Sequence, residues 1–133
     1  MTKEQKEKVK KLLSSYRTMK AQIECIDYEI SITKECIEGL KELRNTESFI
    51  IEKNNEIEHK RSIKKRLEDC INSIDKTLSK LSDTERIIVK FKYLEGKKHT
   101  WNEISNIVGY SSDYCRKETL DRILNKLYIN IID

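Results

Sequence analysis

The chain has 133 residues, 38% of them charged, with no proline, three glycines and a formal net charge of +4. That composition favours long helices over sheets, and the steady recurrence of isoleucine and leucine argues against a disordered chain; it supplies narrow apolar seams, not one thick core. No apolar run approaches the roughly 20 residues of a membrane span, and the modest charge means that attraction to nucleic acid has to come from local patches.

From Val9 the apolar positions step by threes and fours through Leu12, Tyr16, Met19, Ile23, Ile26, Ile30, Thr33, Ile37 and Leu40. This heptad seam predicts one helix from about Thr2 to Arg44, on the order of 60 Å long, which cannot stand alone in water with the seam exposed. Gly39 is the weak point of that helix. Arg44-Asn45-Thr46-Glu47-Ser48 reads as a turn, followed by a second helix from about Phe49 to Leu81. Its seam is less regular, interrupted by Lys53, Lys60 and Lys64. The two make an antiparallel helical hairpin or coiled coil over residues 1–80, with the first helix strong enough to pair also with a second copy of the chain. A homodimer through these N-terminal helices is therefore expected. The basic run Lys60 to Arg66 has two readings, a contact along DNA phosphates beside the reading head or, slightly favoured, a solvated helix face balanced by Glu56, Glu58, Glu68 and Asp69.

Residues 81–133 carry sharper punctuation. Ser82-Asp83-Thr84-Glu85 and Thr100-Trp101-Asn102-Glu103 are capping boxes, and Ser111-Ser112-Asp113 offers a third N-cap. Glu95-Gly96 predicts a left-handed helix end, and Gly109 closes the next helix. Trp101, Ile104, Ile107 and Val108 share one side of a short helix; Cys115, Leu120, Ile123, Leu124 and Leu127 form the stripe of the next. A short helix, a tight glycine turn and a longer helix with a polar, arginine-bearing start are the parts of a DNA-reading helix-turn-helix. The expected fold is thus all-α: a long N-terminal helical hairpin or coiled coil, then a C-terminal helix-turn-helix domain.

Asp83-Thr84-Glu85-Arg86, Tyr93-Leu94-Glu95-Gly96, Thr100-Trp101-Asn102-Glu103-Ile104, Val108-Gly109-Tyr110-Ser111 and Arg122-Ile123-Leu124-Asn125-Lys126-Leu127 together resemble region 4 of the primary sigma factors. In size and placement they resemble more closely the ArpU/RinA group of phage late-gene transcription activators. Where sigma region 4 usually has an alanine and a valine, this chain has Ser105 and Cys115, both small. The resemblance covers the last third of the chain and implies a sequence-specific regulator of phage or prophage type, an activator working near promoters, with RNA polymerase as a further partner. Packaging subunits of the small-terminase kind and a coiled-coil adaptor with a sigma-like docking domain are the competing readings.

On the DNA-binding reading, double-stranded DNA would meet Ser112, Asp113, Tyr114, Arg116 and Lys117 on the recognition helix. Arg116 suits the bidentate reading of guanine; Ser111 and Lys117 suit phosphates. Lys97, Lys98, His99 and Thr100 stand where the start of the middle helix would meet another phosphate. No Gly-rich phosphate loop, metal-ligand cluster or nucleophile-base pair is apparent, so no enzyme, cofactor or metal is expected. Cys25, Cys36, Cys70 and Cys115 have neither zinc nor disulfide spacing and are expected to be reduced packing residues in a cytoplasm.

Overall fold

The computed structural model describes residues 2–96 and 99–129. All regular structure among them is helical: α1 (Lys3–Ser14), α2 (Tyr16–Lys41), α3 (Glu47–Leu78), α4 (Asp83–Val89), α5 (Trp101–Val108), α6 (Ser112–Tyr114) and α7 (Leu120–Leu127). Two wider π-type turns, Lys90–Leu94 and Cys115–Thr119, continue α4 and join α6 to α7. No helix among the described residues is long and apolar enough to cross a membrane.

The single helix expected over residues 2–44 is interrupted. Ser15 closes α1: its N–H meets the carbonyls of Lys11 and Leu12, and its hydroxyl donates to Leu12 O at 2.7 Å. A serine hydroxyl offers the backbone a local alternative to the next helical bond, and two serines in succession made this the site of competition. Gly39, the expected weak point, lies inside α2. The turn at 44–48 is present. Asn45 takes a left-handed φ of 60°, and Thr46, buried, donates to Leu40 O at 2.7 Å.

The chain divides into two compact units, Met1–Thr18 with Ile71–Asp133, and Met19–Cys70. These differ from the boundary expected near residue 80, because α1 packs on α7 and on the π-turn that follows α4. Within Met19–Cys70, α2 and α3 share a thin core of Ile30, Ile37 and Ile57 with Ile26 and Ile50 against it. Lys60 pairs with Glu29 at 3.1 Å and Lys64 with Asp27 at 2.5 Å, so rising numbers on α3 meet falling numbers on α2 and the helices run in opposite senses. The Asp27 hydrogen bond holds the Lys64 ammonium above its ordinary pKa, against some desolvation. With Arg61 bonded to Glu58 at 2.8 Å, much of the 60–66 basic run is held within the chain.

In the other unit the core is deeper. Leu13, Ile74, Ile88, Ile104, Ile123, Leu124 and Leu127 are fully buried, and Val9, Val89 and Cys115 join them. A capping box between Thr2 and Gln5 starts α1, and the Gln5 side chain donates to the Tyr128 hydroxyl at 3.1 Å. Tyr93 is buried between these elements; burial, helped by the Glu7 carboxylate, pushes its pKa up to about 12. Glu85 is buried with its carboxylate 3.1 Å from Lys126 Nζ and 3.6 Å from Arg122 Nε, tying α4 to α7.

Two further expectations are corrected. Gly96 does not take a left-handed conformation: the preceding helix ends through an extended Glu95 whose N–H reaches Lys90 O, five residues back. The wider turn carries the chain out of the helix without a positive φ. And of the four cysteines only Cys115 is buried; Cys70 is partly covered, and Cys25 and Cys36 lie exposed on α2, off the stripe that meets α3.

Candidate nucleic-acid interface

The sequence of α5 builds a rigid frame for its own N-terminus. The Thr100 hydroxyl accepts the Glu103 N–H at 3.2 Å, and the Thr100 N–H donates back to Glu103 Oε1 at 3.4 Å. His99 lies edge-on to Phe91, with ring centroids 4.8 Å apart, and its Nδ1 is 3.0 Å from Glu103 Oε2. The hydrogen bond with His99, then those with Thr100, hold the Glu103 carboxyl below the usual glutamate range. Thr100 therefore caps its own helix, with its hydroxyl committed there. Trp101, expected in the core, is only half-buried, with the Lys92 ammonium 4.8 Å from its ring centroid. Ile104 is fully buried, whereas Ile107 is 49% exposed, so α5 buries a narrower stripe than its four apolar residues suggest. α5 packs against α4, α6 and both π-type turns, and Ile107 lies on the side that these leave uncovered.

The turn after α5 is set by Gly109, at φ 81° and ψ 7°, whose N–H returns to Ser105 O at 2.9 Å. A residue with a Cβ is strained at that φ. Ser105 donates its hydroxyl to Tyr110 O at 2.5 Å and ties the turn to the helix before it. Ser111 then caps α6, accepting the Tyr114 N–H at 3.2 Å.

Beyond that cap the expected reading residues lie within two turns of one another. Cys115 points inward and is fully buried; Asp113, Tyr114, Arg116, Lys117 and Glu118 are exposed, and Ser112 is half-exposed. Arg116 Nη2 lies 3.1 Å from Asp113 Oδ1, one helical turn back. That pair holds the guanidinium along the helix surface, where both its members are more than half exposed, so it adds little stability and can open to a ligand. Thr100 stands at the opposite end of α5 from Ser111 and is not brought into this group. Lys97 and Lys98 lie outside the described residues.

One residue of this surface escaped the sequence reading. Tyr110 stacks edge-on against Tyr114, with centroids 5.2 Å apart, and the two are 41% and 42% exposed. The i, i+4 spacing of the tyrosines was the available signal; a turn residue directly after a glycine is not ordinarily assigned to a helix face.

Among the described residues no group of three or more His, Cys, Asp or Glu is placed to hold a metal. Comparison with protein-family models, with curated proteins and with solved structures gives no match.

Proposed function

We propose that this chain is a sequence-specific regulator of transcription that binds double-stranded DNA, of the phage or prophage type that its last third resembles, acting as an activator in the cytoplasm without catalysis of its own. In this reading α5, the Gly109 turn and the helix from Ser112 to Leu127 are the helix-turn-helix, and α2 with α3 is the hairpin that carries it. The observation that supports it best is the separation of duties along the last helix. Cys115, Leu120, Ile123, Leu124 and Leu127 anchor it while Asp113, Tyr114, Arg116 and Lys117 stay exposed at its leading end. Such a helix can enter a major groove without any change in its packing.

The dimer belongs to the same proposal, with one adjustment. The α2 stripe expected to pair with a second copy is taken up by α3 of the same chain. A second copy would instead meet the outer face of α2, where Tyr28 and Ile32 are 69% and 47% exposed, together with Leu43, 63% exposed in the turn that follows. Contact with RNA polymerase is a further element, and the exposed Ile107 and Tyr110 give it a surface.

Selection of bound duplexes from a random pool tests the reading, followed by titration of Arg116→Ala on selected and random duplexes. The variant should lose about 1–3 kcal/mol on the selected site and much less on random sequence. Failure to enrich any sequence would remove specific DNA binding. Equal loss on both duplexes would remove Arg116 from base reading.

A further inference from the structure

The net charge of +4 is unevenly divided by the fold. Residues 19–70 hold ten Lys and Arg against twelve Asp and Glu, whereas residues 71–133 hold eleven against nine. The structure adds residues 1–18 to the latter, and these bring six more basic residues against two acidic. The unit containing the last helix thus rises from +2 to +6, with three of the four added charges coming from α1, far away in sequence, and the fourth from Arg17.

The placement of α1 is specific. Its core face, Val9 and Leu13, is buried. Gln5 bonds to Tyr128 at 3.1 Å on one side of that face, and Lys6 pairs with Asp121 at 3.1 Å on the other. Asp121 is exposed in the first turn of α7, on the same continuous helical path as Arg116 and Lys117. Lys3, Lys6 and Lys10 are spaced by three and four, so they form one edge of α1, and Lys6 fixes that edge as the one beside α7. Lys8 and Lys11 fall on the far side of the same helix. Glu7, 3.4 Å from Lys10, and Asp121 are the acidic groups facing the edge.

From this arrangement we infer that the Lys3–Lys6–Lys10 edge of α1 is a second contact surface for duplex DNA, taking backbone phosphates that flank the groove entered by the last helix. The inference rests on the DNA-binding reading above and extends it to a part of the chain that the helix-turn-helix pattern does not include. A duplex is a regular lattice of phosphates on either side of its grooves, and a lysine edge held rigidly next to a reading helix meets it without further ordering of the backbone. Lys6 also ties α1 to α7 through Asp121, whereas Lys10 pairs only with Glu7 on its own helix, so Lys3 and Lys10 are the informative positions.

The test compares two double variants of the full chain with equal loss of charge, Lys3→Gln with Lys10→Gln and Lys8→Gln with Lys11→Gln. Both are first checked for unchanged helicity and melting. Binding to a random-sequence duplex is measured over a range of salt concentrations. Each phosphate contact removed lowers the slope of log affinity against log salt by about 0.9, so the first variant should flatten it by about 1.8 and the second should leave it near the parent value. An equal flattening by both variants would show that total charge alone matters and would overturn the inference. No change from the first variant would also overturn it. Absence of duplex binding by the parent chain would instead remove the DNA-binding reading, and the inference with it.

Discussion

Residues 19–70 and the unit formed by residues 1–18 with 71–133 use nearly the same amino acids to reach different degrees of burial. In the first, two long helices meet along a single row, with Ile30, Ile37 and Ile57 at its centre, while Tyr28, Ile32, Leu43, Phe49 and Ile51 remain largely exposed. In the second, short helices cross one another and leave Ile74, Ile88, Ile104, Ile123 and Leu124 with no exposed surface. Two helices in contact can cover only one stripe of each other, whereas several short ones can surround a side chain. The lesson is that length of helix trades against depth of core: the long pair gains ion pairs along its length, and the short set gains a fixed geometry for the side chains it leaves exposed.

The largest expected effect follows directly. Leu124→Ala removes a fully buried side chain and should cost about 2–5 kcal/mol, because the crossing helices around it cannot collapse into the space. Ile57→Ala, in the thin row, should cost at the low end of that range or less, since the neighbouring side chains there lie close to water and can relax. Urea unfolding of the full chain, followed by helical circular dichroism, measures both. Equal costs would mean that the long pair is packed as tightly as the crossing set.

The same contrast explains what could be read from sequence. Local chemistry was legible: the Ser82, Thr100 and Ser111 caps, the Gly109 turn and the turn around Asn45 and Thr46 each depend on neighbours within a few residues, and each is present. The exposed leading residues Asp113, Tyr114, Arg116 and Lys117 followed from the stripe of Cys115, Leu120, Ile123 and Leu124 behind them. What was not legible depended on distant partners. The heptad steps run through Ser15 without a fault, so periodicity alone joined α1 to α2. Nothing local to Val9 or Leu13 says that they face α7 and the end of α4. Nor did the sequence announce the wider turns at Lys90–Leu94 and Cys115–Thr119, which keep helical periodicity to within one residue.

A smaller effect concerns the carboxylate that joins α4 to α7. Burial opposes ionisation of Glu85, but the Ser82 backbone N–H, Lys126 and the Ser82 hydroxyl outweigh it and hold its pKa below the ordinary 4.5. A folded-state pKa below the unfolded one stabilises the fold above the unfolded value, and that stability is lost as pH falls through the folded value. Melting temperature should therefore drop on acidification below about pH 4.5, and Glu85→Gln should lessen the drop while costing about 1–3 kcal/mol at neutral pH through lost charged hydrogen bonds. Exposed Glu103 shifts in the same direction and contributes to the same window. An acid limb unchanged in Glu85→Gln would assign the titration to other carboxylates.

The smallest expected effect tests the wider turn in the last helix. Three buried threonines lie on helices, and two behave alike: Thr33 donates to Glu29 O and Thr77 to Ser73 O, each at 2.9 Å and each four residues back. For Thr119 the corresponding acceptor is Cys115 O, but the π-type winding gives that carbonyl to the N–H of Leu120 instead. The Thr119 hydroxyl is fully buried and has no partner. Replacing an unpaired buried hydroxyl with a methyl group of similar size removes a desolvation penalty and no bond. Thr119→Val should therefore be neutral or stabilising by up to about 1 kcal/mol, while Thr77→Val should cost a few tenths to about 1 kcal/mol for its lost bond. If urea unfolding shows Thr119→Val to be as costly as Thr77→Val, then Thr119 donates four residues back after all. The Cys115–Thr119 turn would in that case be wound as ordinary α-helix, with Arg116 and Lys117 rotated about the helix axis relative to α7.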